Sequence, residues 1–204
     1  MLETVSAELL AYQEDRLDSY RELNQTTQPG GIVFAGDSII EFYPLKKYLG
    51  RSLPIHNRGI AGIDSQWLLN HIDEHICQLY PEKVFLLVGT NDIGLGYSNS
   101  EIKTRVSEII AKIQSKNENC NIYLLSVLPV SDNPTYQNTV KVRDNKGIDE
   151  LNDALKTIPT INYIDLASSL KDNTNGLADG FTKDGLHLNL KGYERISNCL
   201  LNYL

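Results

Sequence analysis

Three residues of this sequence have the types and spacing to activate a hydroxyl group for nucleophilic attack. Ser38 follows Gly36 and Asp37, and Asp184 precedes His187 by three positions late in the chain. A serine hydroxyl is a weak nucleophile until a base accepts its proton during attack. A histidine can be that base, and a carboxylate can hold its second ring nitrogen and stabilise the imidazolium. The pattern predicts a Ser-His-Asp centre, provided that the fold brings residue 38 to residue 187.

Five short apolar runs predict the strands that would carry such a centre. They lack the alternation of a half-exposed strand, and helical patterns separate them. Both features are typical of parallel strands that are covered on both faces. The runs comprise residues 32–35, 54–57, 84–88, 122–125 and 161–164.

Helical periodicity fills most of the sequence between these runs. Its clearest instance is an isoleucine- and valine-rich stripe between residues 102 and 113, preceded by Ser98 and Glu101, which can form a capping box. Further helices are predicted over residues 2–24, 63–79, 146–157 and 190–202. The elements predict one α/β domain over residues 1–204, a three-layer α/β/α, flavodoxin-like fold with a five-stranded parallel sheet in the order 2-1-3-4-5. The N-terminal helix, within residues 1–26, is expected to pack on the outside of that domain.

Residues that could take part in a reaction follow the predicted strands at their carboxyl ends. Residues 36–38 follow the first strand, residues 57–62 belong to the end of the second, and residues 89–92 follow the third, while residues 184–187 precede the last helix. In open parallel sheets, functional groups collect just beyond the carboxyl ends of the strands. We therefore expect these four segments to converge on one edge of the sheet.

A phosphate or FMN site is an alternative for the helix that begins at Ser38, because backbone N–H groups at a helix N-terminus favour anions. Asp37 and Glu41 would repel a phosphate, and no glycine-rich phosphate-binding motif is present. The G-x-S-x-G elbow of α/β-hydrolases is also absent. Each segment alone also permits a structural interpretation, with Ser38 as a helix cap and Asn91 as a loop cap.

The segments resemble the sequence blocks of the SGNH (GDSL) hydrolase superfamily. The blocks comprise residues 34–39, 57–60, 88–94 and 182–188, and they are most similar to the branch of platelet-activating-factor acetylhydrolase-like bacterial esterases and lipases. The resemblance implies that Ser38 is the nucleophile, that His187 is the general base and acid, and that Asp184 orients His187.

The resemblance also implies an oxyanion hole and its supports. The expected donors are the backbone N–H groups of Ser38 and Gly62 and the side-chain amide of Asn91. Gly62 is preferred because the glycine of the family lies five residues after the asparagine of its block, here Asn57, and Gly59 is the fallback. The supporting residues are expected to be Asp37, beside the nucleophile, and Asn57 and Asp92, under the loops that carry the donors.

The resemblance implies a serine esterase that hydrolyses carboxylic esters with a short, acetyl-like acyl group through an acyl-enzyme, without a metal or cofactor. A lysophospholipase or thioesterase and a carbohydrate acetylesterase remain alternatives. The non-enzymatic alternative is a catalytically silent flavodoxin-like binding protein. The long connections over residues 129–147 and 171–183 are expected to form walls of the substrate site.

Several other polar residues are interpreted as structural. His71 and His75 flank the apolar stripe of their helix without a third metal ligand, which indicates a solvated face rather than a zinc site. The three cysteines (Cys77, Cys120, Cys199) have no metal-ligand spacing and are expected to be reduced packing residues.

Composition narrows the classes of partner and compartment. The chain is 41% hydrophobic and 22% charged, as is usual for a globular protein, and its net charge of −7 disfavours nucleic acid and anionic membrane surfaces. The sequence shows neither a signal-peptide pattern nor an apolar run long enough to span a bilayer. A cytoplasmic location is therefore expected. The oligomeric state stays open, and a homo-oligomer is compatible with the sequence.

Overall fold

The computed structural model describes residues 1–204, and its centre is one parallel sheet of five strands. The strands are β1 (Ile32–Gly36), β2 (Ile55–Gly59), β3 (Lys83–Leu87), β4 (Asn121–Leu125) and β5 (Asn162–Ile164). They lie in the order β2-β1-β3-β4-β5, and every neighbouring pair is parallel. The predicted sheet and its strand order are confirmed.

Both faces of the sheet are buried. Along β1, Val33 and Ala35 belong to the apolar cluster on one face, whereas Ile32 and Phe34 belong to the cluster on the other. On the second face Phe34 stacks on the ring of Phe85 with centroids 4.5 Å apart. The strands therefore read as continuous apolar runs because alternate side chains enter two different cores.

Ten α-helices surround the sheet. They are α1 (Ala7–Asn24), α2 (Ser38–Glu41), α3 (Leu45–Tyr48), α4 (Ser65–Asn70), α5 (Ile72–His75), α6 (Thr90–Leu95), α7 (Asn99–Lys116), α8 (Gln137–Val140), α9 (Asn145–Leu155) and α10 (Leu190–Leu200). Helices α4, α5, α7 and α9 contribute to one apolar cluster, and α2, α3 and α10 contribute to the other. The predicted capping box of Ser98 and Glu101 is present at α7. None of the helices combines the length and apolar character that crossing a bilayer requires.

The N-terminal helix is shorter than predicted. Ser6 caps α1 by accepting a hydrogen bond from the N–H of Leu9, so residues 1–5 are not helical. The range 2–24 was predicted from a stripe of apolar residues at helical spacing from Leu2 to Tyr20, and its first half was wrong, because Leu2 and Val5 precede the helix and Leu10 is exposed. The stripe holds further along, where Leu17 and Tyr20 are buried against the domain.

The predicted helix over residues 63–79 is broken into α4, α5 and a 3₁₀ turn (Cys77–Leu79). The prediction that His75 lies on a solvated face was wrong: His75, three residues after Ile72 and four before Leu79, is fully buried and its Nε2 contacts the carbonyl of Arg58. Burial lowers the pKa of His75 to about 4, so this ring is neutral. The three cysteines are unpaired, as predicted.

Candidate active site

Ser38 is the first residue of α2, immediately beyond the carboxyl end of β1. Asp37 caps the helix, since its Oδ1 accepts the N–H of Ile39 at 2.9 Å. At this first helical position the N–H of Ser38 has no partner within the helix. The turn thus presents the Ser38 hydroxyl and its backbone N–H at the sheet edge.

His187 and Asp184 lie on the loop that precedes α10, and they meet Ser38 across 149 residues of sequence. The Oγ of Ser38 is 3.0 Å from Nε2 of His187, and Nδ1 of His187 is 2.8 Å from Oδ2 of Asp184. Asp184 Oδ1 also accepts the backbone N–H of His187 at 2.8 Å. The loop therefore fixes both the backbone and the ring of His187 with one carboxylate.

The surroundings of Asp184 favour its ionised form. Partial burial acts to raise the pKa of Asp184, but the backbone N–H and the ring of His187 hydrogen-bond the carboxylate and hold this pKa below its ordinary value. Thr182 braces the loop from beneath, because its hydroxyl accepts the N–H of Gly185 at 2.9 Å and donates to the carbonyl of His187 at 2.8 Å. An ionised Asp184 can orient His187 and stabilise its protonated form.

Gly62 and Asn91 border the same cavity as Ser38 and His187. Gly62 has φ +77°, a conformation that a glycine adopts without strain, and its N–H has no hydrogen-bond partner in the protein. Nδ2 of Asn91 donates one hydrogen to the carbonyl of Ile63 at 2.9 Å, which leaves its second hydrogen available. The N–H of the fallback residue, Gly59, is occupied by Oδ1 of Asn57 at 2.9 Å.

Asn57 and Asp92 brace the elements that carry these donors. Nδ2 of Asn57 donates to the carbonyl of Ile40 at 2.7 Å, which ties the end of β2 to α2. Asp92 is fully buried and accepts the backbone N–H of Ser65 at 3.0 Å as well as its hydroxyl. Burial raises the pKa of Asp92 to about 6, although the hydrogen bonds from Ser65 act in the opposite direction.

Asp37 does not touch the cavity. It is fully buried, and its Oδ2 has no hydrogen-bond partner. Burial raises the pKa of Asp37 to about 7, against the opposing effect of the N–H of Ile39. Its place beside Ser38 is therefore that of a helix cap beneath the site.

Glu41 has a role that the sequence did not reveal, since the prediction considered it only as a charge that would repel phosphate. Its Oε2 accepts the N–H of Ala61 at 2.5 Å, directly before Gly62. Its Oε1 accepts the hydroxyl of Tyr12 and pairs with Nε of Arg16 at 3.3 Å. Helix α1 thus holds the loop that carries Gly62. No local motif encodes this contact, because it joins residues 20 or more positions apart.

The cavity has a volume of about 500 Å³ and opens above the Ser38–His187 pair. Its apolar part comprises Val5, Leu9, Phe42, Ala61, Leu95 and Leu186, and its polar wall includes Asn138, Thr139 and Lys141. The connection over residues 129–147 thus forms a wall, as expected. The connection over residues 171–183 contributes no lining residue, so that expectation was wrong. The N-terminal segment borders the cavity instead, through Glu3, Thr4, Val5 and Leu9.

No group of three or more histidine, cysteine or acidic side chains is arranged to hold a metal ion. The arrangement around Ser38 can supply a nucleophile, a base, and donors for a developing negative charge on an oxygen atom.

The chain is similar to several known proteins. Residues 34–195 match the model of the GDSL-like lipase/acylhydrolase family. A structure from Streptococcus pneumonia named for platelet activating factor superposes with a TM-score of 0.91 and 36% identity, covering 96% of this chain and 94% of that one. A GDSL-like lipase from Bacteroides thetaiotaomicron superposes with a TM-score of 0.79 and 22% identity, covering 91% of this chain and 95% of that one.

A curated relative shares sequence with this chain over part of its own length. The N-acylneuraminate cytidylyltransferase of Escherichia coli O18:K1:H7 is 31% identical over 178 residues, which represent 86% of this chain and 40% of that protein. The chain therefore spans less than half of the curated relative that it matches.

Proposed function

Because the chain belongs to the GDSL-like lipase/acylhydrolase family and is a hydrolase of the SGNH esterase type, we propose that it hydrolyses carboxylic esters through an acyl-enzyme on Ser38. The observation that carries the proposal is the chain of contacts from Ser38 Oγ to His187 Nε2 at 3.0 Å and from His187 Nδ1 to Asp184 Oδ2 at 2.8 Å. These distances fit proton transfer from hydroxyl to imidazole and orientation of the ring by the carboxylate.

In the first half of the reaction Ser38 Oγ attacks the ester carbonyl while His187 Nε2 takes the hydroxyl proton. The carbonyl oxygen becomes an oxyanion, which accepts hydrogen bonds from the N–H groups of Ser38 and Gly62 and from Nδ2 of Asn91. When the tetrahedral intermediate collapses, His187 gives the proton to the leaving alcohol. Water then attacks the acyl-enzyme by the same route, and the acid is released.

The substrate that fits best is an ester with a short acyl group. A cavity of about 500 Å³ has to hold both the acyl group and the alcohol, and its apolar lining is interrupted by Asn138, Thr139 and Lys141. A long acyl chain needs a continuous apolar wall, because burying it against unpaired polar groups forfeits part of the hydrophobic gain. The polar wall suits a hydroxylated alcohol, which makes an acetylated carbohydrate the second candidate substrate.

The test is a profile of p-nitrophenyl esters with acyl chains from two to twelve carbons, measured as kcat/KM. We expect the maximum at two to four carbons, whereas a maximum at eight or more would contradict the short-acyl assignment. Release of acetate from acetylated sugars, compared with release from simple alkyl acetates, tests the second candidate.

Covalent labelling tests the nucleophile separately from the substrate. A fluorophosphonate should label the protein with one equivalent at Ser38, and Ser38→Ala should neither be labelled nor hydrolyse any ester of the panel. Ser65→Ala is unsuitable as a control because Ser65 braces Asp92, so Ser115→Ala on the exposed surface of α7 serves instead. Labelling of Ser38→Ala at the rate of the unmodified protein would refute the assignment.

A further inference from the structure

Arg143 is a buried cation beside the oxyanion donors, and the proposed mechanism does not use it. Its side chain is 0% exposed, although it lies on the connection between β4 and α9. Burying a guanidinium is unfavourable unless all its donors find acceptors. The acceptors that Arg143 finds therefore show what it holds.

Apart from the carbonyl of Val140, which accepts from Nη1 at 3.3 Å within the same connection, those acceptors belong to two segments. Nε of Arg143 donates to the carbonyl of Thr90 at 2.8 Å and to its hydroxyl at 3.1 Å, at the first turn of α6. Nη1 and Nη2 donate to the two carboxylate oxygens of Glu3 at 3.0 and 2.8 Å, the paired geometry that an arginine forms best. Nη2 also lies 3.5 Å from Oδ1 of Asn91. Arg143 thus joins the N-terminal segment to the helix that carries Asn91.

The contact fixes which way the Asn91 amide points. In the observed orientation Oδ1 faces the Arg143 cation, and Nδ2 donates to the carbonyl of Ile63 at 2.9 Å. The flipped amide would set its N–H₂ group against a cation and its oxygen against a carbonyl oxygen, so both neighbours oppose the flip. In the proposed function, the Nδ2 hydrogen that the carbonyl of Ile63 leaves free is the one that the oxyanion accepts.

Glu3 holds the cation in place from the other side. Its backbone N–H donates to the carbonyl of Gly94 at 2.8 Å, near the end of α6, and Lys141 pairs with its carboxylate at 3.3 Å. A Cβ at residue 94 would overlap with Nη2 of Arg143 and with Oε2 of Glu3, so the ion pair would have to shift to admit one. The ion pair therefore packs directly on the backbone of α6.

We propose that Arg143, held by Glu3, is a positioning residue that orients Asn91 as an oxyanion donor, so that the N-terminal segment completes the active site. This inference rests on the proposed function, in which Asn91 binds the oxyanion. Arg143 acts through Asn91 and touches no substrate atom in this role. Its effect therefore has an upper limit, which is the whole contribution of the Asn91 amide.

The test is a double-mutant cycle on kcat, with Arg143→Gln, Asn91→Ala and the combination. One oxyanion donor is worth about 10²–10³ in kcat. We expect Arg143→Gln to lower kcat about 10- to 100-fold with less than about a threefold change in KM, and to lower it less than about threefold once Asn91 is alanine. Arg143→Lys, which keeps the charge but not the paired geometry, should retain an intermediate kcat.

Glu3→Gln provides a second test, because Glu3 borders the cavity and the substitution keeps the backbone hydrogen bond from Glu3 to the carbonyl of Gly94. We expect a smaller fall in kcat that also disappears in the Asn91→Ala background. Arg21→Gln, which removes an arginine that pairs with Glu74 away from the cavity, is the matched control. Circular dichroism verifies that each variant is folded.

The outcomes separate the two proposals. If Asn91→Ala leaves kcat unchanged, the oxyanion role in the proposed function is refuted and this inference falls with it. If Asn91→Ala lowers kcat but the effects of Arg143→Gln and Glu3→Gln persist undiminished in its background, the proposed function stands and Arg143 does not act through Asn91. Unchanged kcat in both Arg143→Gln and Glu3→Gln overturns the inference directly.

Discussion

Replacing Asp37 with asparagine should change how the stability of the protein depends on pH. Asp37 is fully buried, and only one of its two carboxylate oxygens is hydrogen-bonded. Burial raises its pKa to about 7 in the folded protein, from 3.8 as the ordinary value of an unfolded chain. The folded protein therefore binds a proton more tightly than the unfolded chain, and this contribution to stability is lost as pH rises through 7.

The size of the effect follows from the two pKa values. A carboxyl group that titrates at about 7 when folded and at 3.8 when unfolded removes about 2–3 kcal/mol from the free energy of unfolding between pH 5 and pH 8. Asparagine keeps an oxygen that can cap Ile39 but has no charge to bury. The N–H₂ group of this asparagine stays unpaired at every pH, so any stability lost through the unpaired group is the same at pH 5 and at pH 8.

The assay is urea denaturation of the unmodified protein and Asp37→Asn at pH 5, 6.5 and 8. The stability of the variant minus that of the unmodified protein should increase by about 2–3 kcal/mol from pH 5 to pH 8, equivalent to about 5–10 °C in Tm for a chain of this size. Other titrating groups are common to both proteins and cancel. A difference that is constant with pH, or that decreases as pH rises, would refute the reasoning.

Asp144→Asn is the matched control for the chemical change. Asp144 caps α9 through the N–H of Gly147 at 2.8 Å, as Asp37 caps α2, but its side chain is exposed to solvent. Its carboxylate consequently bears no burial cost, and its substitution reports the loss of a capping charge alone.

Three further predictions concern catalysis. Asp184→Asn should lower kcat by up to about 10⁴ with little change in KM, because an amide cannot stabilise protonated His187 as the carboxylate does, and steady-state hydrolysis of a short ester measures it. Glu41→Gln should lower kcat at least several-fold, because an amide has one acceptor oxygen and no charge and cannot serve both the N–H of Ala61 and the cation of Arg16. An unchanged kcat would show that Gly62 is positioned without Glu41. Dialysis against EDTA should leave kcat/KM unchanged, and a loss restored by a divalent cation would contradict the proposed mechanism.

The parts of the fold that sequence predicts well are those with a local cause. The strand at residues 32–36 is an uninterrupted apolar run because both faces are buried, and the capping box at Ser98 lies within four residues. The segments at the ends of the strands are also recognisable locally, by their short sequence blocks. In a parallel sheet such segments share an edge, so the convergence of Ser38, Gly62 and Asn91 could be expected. His187 lies instead on the loop before α10, and its meeting with Ser38 was implied by the family resemblance.

The parts that sequence predicts poorly depend on contacts between distant segments. The apolar residues Leu2 and Val5 continue the helical period of α1, yet Ser6 offers a cap and the preceding segment crosses to α6. Periodicity counts apolar residues and cannot register an ion pair such as Glu3–Arg143, which joins positions 140 apart. His75 illustrates the same limit, because its fully buried ring contacts the carbonyl of Arg58, 17 positions earlier in the chain.

In the proposed mechanism, these distant contacts position two of the oxyanion donors. Gly62 follows the residue whose N–H is held by Glu41, and Glu41 is held in turn by Tyr12 and Arg16 of α1. Asn91 lies beside Arg143, which is held by Glu3. The family match begins at residue 34, after all three N-terminal contacts. In the proposed mechanism the matched region supplies the reacting groups, and residues before it position two of the oxyanion donors. Substitutions of Tyr12 and Arg16, which do not border the cavity, should therefore alter kcat without touching the substrate.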